Sequence, residues 1–237
     1  MKIGVDPGRG LEYHRTQPIK VRAHKEKTMA KQAWPLILIA LAMMLVNSIF
    51  LFPSLSEETP KADLPVLITS CGQSPGATML KVIFIKMKLQ HEPKAYAINM
   101  LASSEDLKKA QEAGTPFKSL IIVMGASLKG MGAAGISMDD ELARTKKLIA
   151  EARNQGIKII GAHIEGMKRR AQGAAVGDNT DELSIDAVAP NSELLIINKD
   201  GNADKRFTII AEEKNIPMIQ VEKNLDLMQK LKDIFQD

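Results

Sequence analysis

The chain has 237 residues, 45% of them apolar and 25% charged, with 16 glycines, 11 prolines and one cysteine. That is the composition of a globular domain with room for a tail or anchor, and it excludes disordered, collagen-like and disulfide-stapled scaffolds; Cys71 alone closes no intrachain bridge and makes no multi-cysteine metal site. Aromatics at 4% argue against a base-stacking platform, and the formal charge of +4 belongs to the first 35 residues, where eight Lys or Arg face three acids; the remainder, with 24 basic and 25 acidic side chains, has no polyphosphate footprint and no nucleic-acid partner is expected.

Residues 1–34 form the basic tail. Residues 35–52, PLILIALAMMLVNSIFLF, carry no charge over 18 positions, and as a helix they would extend about 27 Å, enough for a bilayer core. Lys31 before this segment and Glu57 and Glu58 after it set the amino terminus inside and the rest outside. The segment is thus expected to be a hydrophobic helix acting as a transmembrane anchor or a signal peptide. The layout of Met29, Ala30, Lys31 and Gln32, with Ser54 and Ser56 as small cleavage-site residues, suits the second option. Codons for Lys25 and Glu26 can spell a ribosome-binding sequence just before Met29, so translation is expected to begin there, with residues 1–28 a mis-called start. Residues 53–63 read as a polar linker, and an α/β domain is expected over 64–237.

Within that domain, short apolar, β-rich runs alternate with helical periodicity. Strands are expected at residues 65–70, 95–99, 120–124, 158–162, 194–197 and 217–221, and helices at 77–90, 105–113, 138–154, 181–188, 207–214 and 225–235. Ser104, Ser137 and Thr180, each followed by acids, read as helix starts, and Gly114 and Gly156 as helix ends. Alternation of this kind predicts a doubly wound three-layer α/β sandwich whose mostly parallel sheet has five to six strands. Ligands of such sheets bind beyond the carboxyl ends of the strands, at a topological switch point.

The loops at that edge carry the candidate site. After the first strand come Cys71, Gly72, Gln73 and Ser74; after the third come Ser127, Lys129, Gly130 and Gly132. Residues 130–135 spell GxGxxG, but they begin five residues beyond Gly125 and end before Ser137, so their glycines are placed in a loop rather than in the opening turn of a dinucleotide fold. Backbone amides there, with Lys129, suit a small anion. The polar stretch from 163 to 182 is too long for an ordinary strand-to-helix link. In it His163 and Glu165 are candidates for acid–base work, and Arg169 and Arg170 for a fork onto a carboxylate or phosphate; the plainer alternative is a histidine satisfied by backbone and arginines paired with acids. Cys71, at a strand end before a helix, is either a stabilised thiolate or a small buried residue. No metal site and no cofactor are expected.

The stretches CGQSPGATMLK (71–81), IIVMGASLKGMGAAGISMDDE (121–141) and IIGAHIEGMKRRAQGAAVGDNTDELSIDAV (159–188) resemble a family of exported or membrane-tethered bacterial proteins classed as a domain of unknown function. The resemblance implies an N-terminal signal or anchor and supplies no catalytic residues. The expected function is therefore binding or sensing of a small anionic metabolite outside the cytoplasm, in company with a membrane transporter; the alternative is a hydrolase or transferase acting on a small anion through His163 and Glu165.

Overall fold

The computed structural model describes residues 60–92, 94–171 and 179–236. The basic tail, the apolar segment 35–52, the start at Met29 and most of the linker lie outside the described residues, as do residues 172–178 of the long polar stretch. Among the described residues no helix is long and apolar enough to cross a membrane.

Among the described residues six strands alternate with helices: β1 (Val66–Cys71), α1 (Gly76–Met87), β2 (Tyr96–Ile98), α2 (Ser104–Glu112), β3 (Ser119–Met124), α3 (Leu128–Ala134), α4 (Met138–Asn154), β4 (Lys158–His163), α5 (Thr180–Val188), β5 (Leu194–Asn198), α6 (Arg206–Lys214), β6 (Met218–Val221) and α7 (Asn224–Phe235). The sheet is parallel throughout, in the order β2-β1-β3-β4-β5-β6. Val66 lies opposite Ser119 and Cys71 opposite Met124, so the carboxyl ends of β1 and β3 are level.

Strands buried on both faces have no solvent side to alternate toward, which is why β3 reads SLIIVM without a break. Val66, Ile68, Ile121, Val123, Ile160 and Ile196 point to one layer, where Leu80 and Phe84 of α1 and Leu227 and Leu231 of α7 cover them. Leu67, Leu120, Ile122, Ile159, Leu195 and Ile197 point to the other, against Leu107 of α2, Leu148 of α4, Ile185 of α5 and Phe207 of α6. Each large side chain so buried contributes about 1.5–3 kcal/mol. Phe84 also meets Tyr96 and Phe235 at centroid distances of 5.5 and 5.7 Å. Residues 59–237 are one compact unit with its own two-sided core.

Several element ends differ from the sequence expectation, for local reasons. Helix α1 stops at Met87 because Lys88 turns left-handed at φ 51°. Ser103, not Ser104, starts α2: its N–H donates to Asp106 Oδ2 at 2.8 Å in a capping box. Asn179, not Thr180, caps α5 by accepting from the Glu182 N–H at 3.2 Å. The glycine-bearing stretch expected as a loop instead holds α3: Ser127 caps it, Met131 is its buried anchor, and Gly135 ends it in the left-handed conformation.

The strand order carries a functional consequence. From β1 the chain passes to β2 on one side and then to β3 on the other, so the reversal lies between β1 and β3. Open parallel sheets have their ligand crevice at such a point, beyond the carboxyl ends of the two strands.

Candidate functional site at the strand switch point

The loops after β1 and β3 run side by side across the crevice. The Ser127 N–H donates to the Gly72 carbonyl at 2.7 Å, and the Gly125 N–H to the Cys71 carbonyl at 3.3 Å. Gly72 has φ 104°, and a Cβ there would lie 2.5 Å from the Gly125 oxygen, so only glycine permits this approach. On α3, a Cβ at Gly130 would run into the Gln73 carbonyl oxygen, which is how this short helix lies so close to the first loop. Gln73 is held from behind: its side-chain amide donates to the Met100 carbonyl at 2.9 Å and to Glu141 Oε1 at 2.8 Å. Glu141, fully buried, also accepts from the Gly72 N–H at 2.8 Å and from Arg144 Nε at 2.9 Å, which supplies its counter-charge.

In front of this frame lies a ring of polar groups. The Gly76 N–H, at the start of α1, donates to Glu165 Oε2 at 3.0 Å. The other oxygen of Glu165 accepts from Arg169 Nε at 3.2 Å, and Arg169 Nη1 donates to the Ala126 carbonyl at 2.8 Å. The Ala126 N–H donates to Asp181 Oδ1 at 2.7 Å. Ser74 is fully buried, and its hydroxyl has no hydrogen-bond partner among the described residues. A Cβ on Gly125 would stand 3.4 Å from Ser74 Oγ and 3.1 Å from the Arg169 stem, so Ser74 and Arg169 flank the same spot.

Two carboxylates, one guanidinium, one amide at a helix amino terminus and one unpartnered hydroxyl therefore converge here. Burial pushes the Asp181 carboxyl above its ordinary range, outweighing the Ala126 N–H and the Arg169 charge that act to lower it. The set can bind an anion through Gly76, Ser74 and Arg169, provided its own acids give way.

The structure distributes the expected site residues unevenly. Ser74, Glu165 and Arg169 come together. Gly72 and Gln73 form the frame behind them, and Ser127 is spent on capping α3. Lys129 is exposed on α3, and Gly132 faces open space. Arg170 does not reach the crevice. Its guanidinium donates to Glu182 at 2.8 Å, to Asp204 and to the Gly201 carbonyl, over the Phe207 ring, so it is paired as the plainer alternative had it, though with Glu182 and Asp204.

His163 and Glu165 are joined by no hydrogen bond: the two ring nitrogens face the Met124 and Gly166 carbonyls at 3.2 and 3.1 Å. Burial also lowers the imidazole pKa below its ordinary value, outweighing the Gly166 and Met124 carbonyls, which act to raise it. The stabilised thiolate expected as one option for Cys71 does not fit either, because burial pushes that thiol up to about 12, against a smaller opposing effect of the Thr145 hydroxyl. Its side chain joins the α4 layer of the core, whereas α1 covers the opposite face. Asp181, Glu141 and Arg144 were not singled out as site residues in the sequence. Asp181 reads there as one more acid in a helix's first turn, and nothing in the triplet Asp139, Asp140, Glu141 marks the third as buried.

Against this geometry stands one clear family match, over residues 63–235, to the family described as Domain of unknown function (DUF6305). The chain belongs to that family. The DUF6305 domain thus spans all six strands and the crevice between β1 and β3. No curated protein matches the sequence. Among solved structures, a GDSL-like lipase from Bacteroides thetaiotaomicron is similar at 12% identity, covering 76% of each chain with a TM-score of 0.29. The YdjI aldolase from Escherichia coli is similar at 12% identity, over 76% of this chain and 74% of that one, with a TM-score of 0.24. Likeness at that level bears on neither chemistry nor site.

Proposed function

We propose that this domain binds a small anionic metabolite in the crevice between β1 and β3, as a binding or sensing component rather than as an enzyme. The observation that carries this reading is the Ser74 hydroxyl, fully buried without a partner among the described residues, just before α1 and across the Gly125 position from the Arg169 stem. A buried polar group left unpaired costs about 1–3 kcal/mol, and a ligand that completes it is one way to offset that cost. Gln155 Oε1 and Asp186 Oδ2 are also without a partner among the described residues, but Gln155 leads into β4 at the opposite edge of the sheet, and Asp186 pairs with Arg206 through its other oxygen. The enzyme alternative has less support, because His163 is fully enclosed and both ring nitrogens face backbone carbonyls.

Thermal-shift and calorimetric titration of residues 59–237 with acetate, lactate, succinate and inorganic phosphate tests the reading. Binding by the unaltered domain, its loss on Arg169→Ala and its retention on His163→Ala are expected. Retention on Arg169→Ala would overturn the site, and hydrolytic turnover of an ester or phosphate substrate that disappears with His163→Ala would favour the enzyme. The proposed setting is extracytoplasmic, with residues 35–52 as anchor or signal and a transporter as partner; the support for it is the uncharged apolar run and the basic residues before it.

A further inference from the structure

Most donors along the crevice are committed to rigid backbone or to the frame behind it. The Gly125 and Ser127 amides go to backbone carbonyls, Gln73 N–H goes to Ser70 Oγ, and Gly72 N–H goes to the enclosed Glu141. Three donors are different, because they end on the side-chain carboxylates of the ring: Gly76 N–H and Arg169 Nε on Glu165, whose side chain is 8% exposed, and Ala126 N–H on Asp181, which is half-buried. Glu165 spans the helix amide and the guanidinium with its two oxygens, at 3.0 and 3.2 Å, yet leaves the Ser74 hydroxyl unused. That is how a bound carboxylate would sit, with one donor still to spare.

We infer that Glu165 is an internal surrogate for the ligand, and that the ligand is a monocarboxylate of a small organic acid which displaces it and adds the Ser74 hydroxyl to the contacts Glu165 makes. This rests on the binding reading above and narrows it. Charge favours the class: among the described residues Arg169 is the one cation in the ring, so a monocarboxylate in place of Glu165 keeps the resting charge balance, whereas a dianionic phosphate would add a negative charge with no cation to pair it beside Asp181. A protein occupied by its own side chain binds with an affinity reduced by the fraction in which the site is open, and removing the occupant's charge restores it.

The experiment compares calorimetric affinities of unaltered residues 59–237 and Glu165→Gln for acetate, lactate and inorganic phosphate. Glu165→Gln keeps an acceptor for Gly76 but no charge for Arg169, and is expected to bind acetate and lactate about tenfold tighter or more, with Ser74→Ala cancelling most of the gain. Glu165→Ala, which empties the position, is the second variant should the first fold poorly, with the same ordering expected. Carboxylate binding by the unaltered domain that Glu165→Gln leaves equal or weaker overturns the surrogate while sparing the binding reading. Phosphate gaining where carboxylates do not overturns the ligand class, and no binding of any probe by either protein overturns both.

Discussion

Asp181 sets one donor against a poor environment: Ala126 N–H satisfies one oxygen, while burial penalises the charge and raises the pKa. With the folded-state value above the unfolded one, the ionised carboxylate weakens the fold at neutral pH, and that handicap fades as pH falls through the folded-state pKa. Asp181→Asn, which keeps an acceptor for Ala126, is therefore expected to melt at or above the temperature of the unaltered domain at pH 7, with the difference closing toward pH 4. Asp181→Ala strands the amide and is expected to lose about 1–3 kcal/mol. Melts across pH check both, and an Asn variant as weak as the Ala variant at pH 7 would contradict the assignment. Ser74, Glu165 and Arg169 were legible as candidates because loop position and residue type mark them. For Cys71, His163 and Arg170 the sequence offered both a functional role and the buried or paired one that the structure shows, and could not choose, since each depends on which side of the strand or turn the side chain leaves, and on partners 30 or more residues away such as Asp204.

Between elements, the polar contacts of Arg170 join the turn after β4 to α5 and to the turn that precedes α6. Arg170 and Glu182 are nearly solvent-free, at 1% and 0% side-chain exposure, and Arg206 pairs with both Glu182 and Asp186. Removing one partner of a buried pair leaves an uncompensated charge at a cost of about 3–5 kcal/mol. Arg170→Ala is expected near the lower figure, because Arg206 still faces Glu182, and urea unfolding measures it; a loss under about 1 kcal/mol would show the network to be dispensable. The strands and longer helices were legible from their periods and caps, with β3 and α4 nearly residue for residue. Helix α3 was not: two glycines in seven residues oppose helix on propensity, and the Ser127 cap with the buried Met131 overrides it.

At the scale of the molecule, alternation of strand and helix foretold a parallel sheet with helices on both faces, but strand order depends on crossovers that no local pattern encodes. The order places β1 beside β3 and so brings residues 72–76 against 125–130, the step that turns two separate glycine-rich loops into one crevice. The molecule also offers a competing surface, an apolar groove of about 520 Å³ between α4 and α5, lined in part by Leu142, Ile149 and Leu183 with Lys146 at its side. A nitrogen-15 NMR titration of residues 59–237 with lactate separates the two. Amide shifts concentrated at Ser74, Gly76, Ala126, Glu165 and Arg169 are the predicted result; shifts concentrated at Leu142, Ile149 and Leu183, with the crevice amides unmoved, would contradict it.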